Sequence, residues 1–347
     1  MLLYLHIPFC DSKCHYCAFN SYVGKYALIS SYMEAVCRQF ERDIKKEIEF
    51  ETLFIGGGTP SVVDFREYER FFSLASPLLK RDAEITIEAN PNSINQRWLE
   101  GMLKLGANRI SIGVQSFFDD KLKLLGRAHR AKDAKEAVLK AKEAGFSHIN
   151  IDLIYSTILD SKDRLLKELD FAFSLPIDHI SVYSLTLEEN TPFENREDLK
   201  KDEEESAIFF RDEIKKRGFF QYEVSNFGKY KSKHNLGYWK HKEYMGIGAG
   251  AVGFIENKRL YPYFDIEEYI KDPFFKKEEI LTKEDIKREK IFLALRSEVG
   301  FDMDILNKEE IKRVKELEKL NKLFIKEGRV YSKDFFLADE IAIFIEG

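Results

Sequence analysis

Three of the chain's four cysteines fall within LHIPFCDSKCHYCAFN, which starts at Leu5. They are Cys10, Cys14 and Cys17, spaced C-x3-C-x2-C. A structural zinc site needs four ligands, usually from two separated pairs. No second C-x2-C occurs, so only a histidine such as His6 or His15 could complete one. Three thiolates suit an iron-sulfur cluster better: they can hold three irons of a [4Fe-4S] cube and leave the fourth open to a substrate or cofactor. Cys37, in a helical pattern far from the triad, reads as a buried small hydrophobe.

The residues that could work with the thiols stand at the ends of strands. Six β-rich runs recur along the chain: LLYLHI from Leu2, TLFIGGG from Thr52, EITIEA from Glu84, RISIGV from Arg109, HINIDLIY from His148 and HISVYSL from His179. Amphipathic helical patterns separate them. Ser93 with Gln96 reads as a capping box, and Gly106, Gly145 and Gly218 as helix stops.

Repeated βα units predict a parallel sheet covered by helices, as an open doubly wound sheet or a barrel. The strand ends favour a barrel or partial barrel, whose mouth gathers such residues. Cys10 follows the first strand, Gly56 to Pro60 the second and Gln115 the fourth. Glu88 and Asn90 lie on the third, Asp152 on the fifth and Tyr183 on the sixth. In GGGTP, successive glycines would let the backbone approach a ligand closely, Thr59 adds a hydroxyl and Pro60 fixes the exit.

The cysteine spacing, with Tyr16 before the last thiol and GGGTP after the second strand, strongly resembles the radical SAM superfamily. The resemblance implies S-adenosylmethionine bound at the open iron and cleaved by a cluster electron to a 5'-deoxyadenosyl radical. Further matches run in order from residue 2 to about 255: LYLHIPFC, GGGTPS, EANPNS, SIGVQSF, LGRAH, NIDLIY, HISVYSLTLEENTPF, YEVSNF and HNLGYW. They resemble oxygen-independent coproporphyrinogen III oxidase and its relative, the HemW haem-chaperone group.

Carried over by position, the resemblance implies S-adenosylmethionine contacts at Tyr4, Tyr16, Gly57, Gly58, Thr59, Glu88, Gln115, Arg127 and Asp152. It implies haem contacts at His234, Asn235, Tyr238 and Trp239, within HNLGYW. An imidazole can ligate haem iron, and aromatic rings offer flat area to a porphyrin face. The alternative for HNLGYW is a buried aromatic corner whose polar groups are satisfied internally. The oxidase carries a fourth cysteine two residues after the third, where this chain has Phe19, and an N-terminal extension for which the nine residues before Cys10 leave no room. The chaperone group is therefore the expectation, with radical decarboxylation of coproporphyrinogen propionates as the alternative. The turn STILD from Ser156, and Val252 after the GIGAGA run, depart from the relatives' pattern.

The expected partners are haem or another porphyrin, haem-acceptor proteins such as respiratory enzymes, and an electron donor. A net charge of -5, from 55 basic and 60 acidic side chains, gives no field for nucleic-acid phosphates. No apolar stretch reaches about 18 residues and no signal sequence is evident, which points to the cytoplasm, with membrane contact peripheral at most.

The expected organisation is a radical SAM partial (β/α)6 barrel over residues 1–218, an extension carrying HNLGYW over 219–270, and a small winged-helix-like α+β domain over 271–347. That domain reads as a packing element or lid. Its LFIKEGRVYS segment predicts a hairpin turning at Glu327 and Gly328.

Overall fold

The computed structural model describes residues 1–44, 48–201 and 203–347. Each of the six expected strands forms: β1 (Leu2–Ile7), β2 (Phe50–Gly57), β3 (Leu79–Ala89), β4 (Arg109–Gln115), β5 (His148–Tyr155) and β6 (His179–Ser184). They pair in parallel in chain order. Of the short strands that follow, two flank these six: β7 (Asn226–Gly228) and β8 (Tyr244–Ile247). β7 joins β6 antiparallel, while β8 runs parallel to β1 on its other side.

β8 lies in the aromatic- and glycine-rich YMGIGAGAVGF, where no strand was assigned from the sequence. Its glycines serve a close backbone approach. A Cβ on Gly246 would fall 2.3 Å from the Val252 carbonyl oxygen, so the following turn can fold back onto the strand. The sheet thus has seven parallel strands, and among the described residues no pairing joins its two edges. It is the expected partial barrel with one strand more.

The period-two alternation of the strands separates two environments. Ile85, Ile87, Ile110, Ile112, Ile151 and Ile180 join the apolar core shared with the covering helices. The alternate positions Glu84, Arg109, Ser111, Asn150, His179 and Ser181 are polar and buried. Barrel interiors are ordinarily filled by Val, Ile and Leu. This one holds a hydrogen-bonded polar column.

The helices that matter below are α1 (Ile29–Asp43), α2 (Gln96–Leu105), α3 (Ala131–Ala144), α4 (Glu203–Lys216) and α5 (Lys233–Trp239). Gly106 and Gly145 end α2 and α3 in the left-handed conformation, as expected. The expected Ser93–Gln96 capping box is replaced by Asn95, whose side chain accepts from Trp98 N. Ser93 Oγ instead bonds the Asn90 carbonyl. Cys37 is buried in the core against α1's neighbours, as expected.

The small domain begins later than residue 271. Lys277–Ile280 still pairs with Lys258–Tyr261 in the large sheet, and the separate apolar core draws on residues from Ile291 to Ile345. Residues 219–270 likewise contribute strands to the main sheet rather than standing apart. Within the small domain α6 (Lys283–Leu295), a short strand, α7 (Lys308–Lys319), a hairpin and α8 (Ala338–Glu346) follow in winged-helix order. The hairpin pairs Lys326 with Arg329 across Glu327 and Gly328, both at positive φ, as a two-residue turn requires.

Candidate functional site: the barrel mouth

The C-terminal ends of β1 to β6 open into a cavity of about 1210 Å³. That exceeds the roughly 300–1,000 Å³ usual for a single small-molecule site. Cys10, Cys14 and Cys17 line it together with Tyr16, Gly57, Gly58, Thr59, Glu88, Gln115, Arg127 and Asp152. The opposite wall comes from the small domain through Arg296, Phe335, Phe336 and Leu337. Arg211 Nη1 donates to Asp334 Oδ2 at 2.8 Å, tying this wall to α4. The small domain therefore closes one side of the mouth, as a lid would.

Two of the three thiols are joined by a chain of hydrogen bonds. Cys10 Sγ lies 3.4 Å from Thr59 Oγ1, which accepts from Asn90 Nδ2 at 2.9 Å. Asn90 Oδ1 accepts from Arg127 Nη2 at 2.6 Å, and Arg127 Nη1 reaches Cys14 Sγ at 3.2 Å. Arg127 Nη2 also donates to the Gly113 carbonyl at 2.7 Å, while its Nε is buried without a partner. Asn90 was read as a strand-end residue but not as part of the site. Its spacing two residues beyond Glu88 on the same strand face was the available signal.

Besides lining the cavity, the glycine run packs against the cysteine loop. A Cβ on Gly58 would meet the Phe9 carbonyl at 2.8 Å and Cys10 Sγ at 3.1 Å, and one on Gly57 would strike the His6 ring at 2.6 Å. The missing side chains let β2 press against the cysteine loop, with Gly58 N donating to Ile7 O and Thr59 N to Phe9 O. Gly57 takes φ +118, open to glycine and strained for other residues.

Glu88 and Asp152 stand on the same inner face. Burial, reinforced by Asp152, pushes the Glu88 carboxyl up to about 7, and Gly57 N donates to it at 3.1 Å. Burial also raises Asp152, against hydrogen bonds that include Asn150 Nδ2 at 2.8 Å. Gln115 is a non-glycine residue at φ 63, where the β4–β5 register shifts, and the break turns its side chain to the cavity. Burial raises the Tyr16 hydroxyl, opposed by the Arg127 charge.

Two groups of expected contacts lie elsewhere. Tyr4 is not on the cavity wall. Its hydroxyl sits 2.9 Å from His6 Nδ1 inside the barrel, where its ring meets Phe54. HNLGYW forms α5 at the opposite end, under the barrel floor. His234 is 1% exposed, with Nδ1 2.7 Å from Thr52 Oγ1 and Nε2 3.1 Å from Tyr238 OH. Burial drives its pKa down to about 3, so the ring is neutral. In this conformation the alternative reading, an internally satisfied aromatic corner, describes His234. Asn235, Tyr238 and Trp239 are partly exposed on the same helix.

The donor set fits a [4Fe-4S] cluster. Burial raises the Cys10 and Cys17 thiols, so iron is needed to draw them into the thiolate form. Among the described residues no three His, Cys, Asp or Glu side chains converge on one ion, and the three thiols line the same cavity as the glycine edge.

Residues 4–184 match the radical SAM superfamily. The haem chaperone HemW of Bacillus subtilis is 35% identical over 317 residues, spanning 86% of this chain and 83% of its own. The Escherichia coli haem chaperone HemW is 38% identical over 261 residues, spanning 72% and 69%. The chain belongs to the HemW family of radical SAM proteins. Its fold is also that of the coproporphyrinogen III oxidase from Escherichia coli, a radical SAM enzyme. That structure superposes with a TM-score of 0.82 at 20% identity, covering 99% of this chain and 89% of the other. As a radical SAM protein, this HemW-family chain takes a [4Fe-4S] cluster and S-adenosylmethionine. No helix among its described residues is long and apolar enough to cross a membrane.

Proposed function

We propose that this protein binds haem and hands it to haem-requiring acceptor proteins, such as respiratory enzymes, in the cytoplasm. The observation that carries the reading is 35–38% identity to proteins named as haem chaperones over most of the chain. Cys10, Cys14 and Cys17 hold the cluster. Tyr16, Gly57, Gly58, Thr59, Glu88, Gln115, Arg127 and Asp152 surround S-adenosylmethionine. When bound, the pair supplies a single electron and a radical source, fed by an electron donor protein.

The chain's own groups have separable tasks. Arg127 holds Cys14 and, through Asn90 and Thr59, keeps Cys10 in register with it. Glu88 and Asp152 accept from ligand hydroxyls, Glu88 changing protonation near neutral pH. Haem is taken by His234 with Asn235, Tyr238 and Trp239 on α5, which needs that helix to move. The oxidase reading is less favoured, since Phe19 stands where that enzyme has its fourth cysteine.

Titration of haem into the anaerobically reconstituted full chain, followed at the Soret band, tests the proposal. Stoichiometric binding lost in His234→Ala is the expected result. Absence of stoichiometric binding, with conversion of coproporphyrinogen III by the same preparation, would replace chaperone with oxidase.

A further inference from the structure

The polar column inside the barrel ends on a residue of the mouth. Asp152 lines the cavity, and behind it three side chains from separate segments are hydrogen-bonded in series: Asn150 on β5, His179 on β6 and Tyr222 in the run before β7. Asn150 is 1% exposed, and His179 and Tyr222 are 0% exposed. Ser232 N donates to Tyr222 OH at 3.2 Å, and that hydroxyl lies 2.7 Å from His179 Nε2. His179 Nδ1 lies 2.5 Å from Asn150 Oδ1, and Asn150 Nδ2 donates to Asp152 Oδ1 at 2.8 Å and to Ser111 Oγ at 2.8 Å.

The two ends of this series fix the direction of every bond in it. A carboxylate only accepts, so Asn150 turns its nitrogen to Asp152 and its oxygen to His179. His179 Nδ1 then carries the proton, which leaves Nε2 to accept from the Tyr222 hydroxyl. At the far end a backbone N–H only donates, so the Tyr222 oxygen accepts from Ser232. Every link donates toward Asp152. Burial lowers the His179 pKa and keeps the ring neutral, as this arrangement needs.

Reversing any link would leave buried donors or acceptors without partners, which is costly away from water. The series therefore has one satisfied arrangement. Ser111 Oγ adds a contact to Asp152 Oδ2 at 3.4 Å, so both carboxyl oxygens are held from the barrel side, with lone pairs left over for a ligand. Packing alone does not call for an imidazole at this position, since barrel interiors are ordinarily filled by Val, Ile and Leu.

We propose that His179 is a positioning residue for S-adenosylmethionine: it locks the Asn150 carboxamide, which sets the Asp152 carboxyl for the ligand. This rests on the reading of Asp152 as an S-adenosylmethionine contact. His179 is not on the cavity wall and acts only through Asn150.

His179→Phe keeps a ring but removes the donor to Asn150, whose oxygen then has only Ser181 Oγ at 3.2 Å. The carboxamide is free to turn its oxygen toward Asp152, and S-adenosylmethionine should bind roughly tenfold more weakly at unchanged iron content. His179→Asn puts an amide nitrogen near the place of Nδ1, restores that donor and should bind within about threefold of wild type. Equilibrium dialysis of S-adenosylmethionine against the anaerobically reconstituted full chain tests this, with wild type, both His179 variants, Asp152→Ala and the His179→Phe, Asp152→Ala double variant. A loss in His179→Phe that is rescued in His179→Asn, and that adds nothing to Asp152→Ala, supports the proposal. An equal loss in His179→Asn, or the same further loss on top of Asp152→Ala, overturns it, because His179 would then act through the fold at large. Wild-type affinity in His179→Phe beside weakened binding in Asp152→Ala also overturns it and leaves the Asp152 contact standing. Wild-type affinity in Asp152→Ala overturns both. Should His179→Phe fail to fold, Tyr222→Phe decides, since it removes one oxygen and with it the hydroxyl that fixes the His179 tautomer. Binding about threefold weaker supports the proposal, and unchanged binding overturns it.

Discussion

Arg127 Nη1 donates to Cys14 Sγ at 3.2 Å, while its Nη2 holds Asn90 and the Gly113 carbonyl. One guanidinium thus ties Cys14, a cluster ligand in the proposed function, to the ends of β3 and β4. Lysine cannot reproduce that fork. Arg127→Lys should still take up iron but bind S-adenosylmethionine roughly tenfold or more weakly, read by equilibrium dialysis of reconstituted protein. Cys14→Ala is the contrasting control, expected to lose iron and brown colour while far-ultraviolet circular dichroism keeps the barrel signal. Wild-type affinity in Arg127→Lys would remove the fork from the site.

Glu88 makes stability depend on pH in a defined direction. Its folded pKa of about 7 lies above the ordinary 4.5. Between those values the folded protein binds the proton more strongly than the unfolded chain, so stability is full below about 4.5 and is lost as pH rises through 7. Glu88→Gln removes the loss. Urea denaturation of protein without cofactor should show the variant gaining about 1–3 kcal/mol on wild type between pH 5 and pH 8. A difference that stays flat across that range would mean Glu88 ionises without cost.

Gly57 and Gly145 separate backbone strain from collision. Both have positive φ, +118 and +113, but a Cβ meets the His6 ring at Gly57 and nothing within 4 Å at Gly145. His6 cannot easily yield, because Tyr4 OH and the Asn20 carbonyl hold its two nitrogens at 2.9 and 2.8 Å. Gly145→Ala should cost about 1–2 kcal/mol from backbone strain alone. Gly57→Ala should cost more and also lower iron loading, measured by thermal unfolding and iron content. Equal costs would show that His6 moves aside.

The local features were legible because local rules govern them. Cysteine spacing, the glycine stops at Gly106 and Gly145 and the Glu327–Gly328 turn depend on residues a few positions apart. The six strands were legible because alternation marks two faces. The Ser93 box failed because Asn95 stands closer to the helix start, and β8 was missed because its glycines mimic a loop.

What the chain order by itself determined is which groups carry chemistry: three thiols, a glycine edge, and polar residues at strand ends. Only the tertiary structure decided what those groups face. Alternation cannot say which face of a strand turns inward, and here the inward one is polar, placing Arg109, Asn150 and His179 in a buried column. Nor can it bring Asn90 between Thr59 and Arg127, or set His234 beneath Glu84, 150 residues away in the chain. Those contacts exist because closing the sheet into a partial barrel brings distant strands around one axis, with the cysteines at its mouth and HNLGYW at its floor.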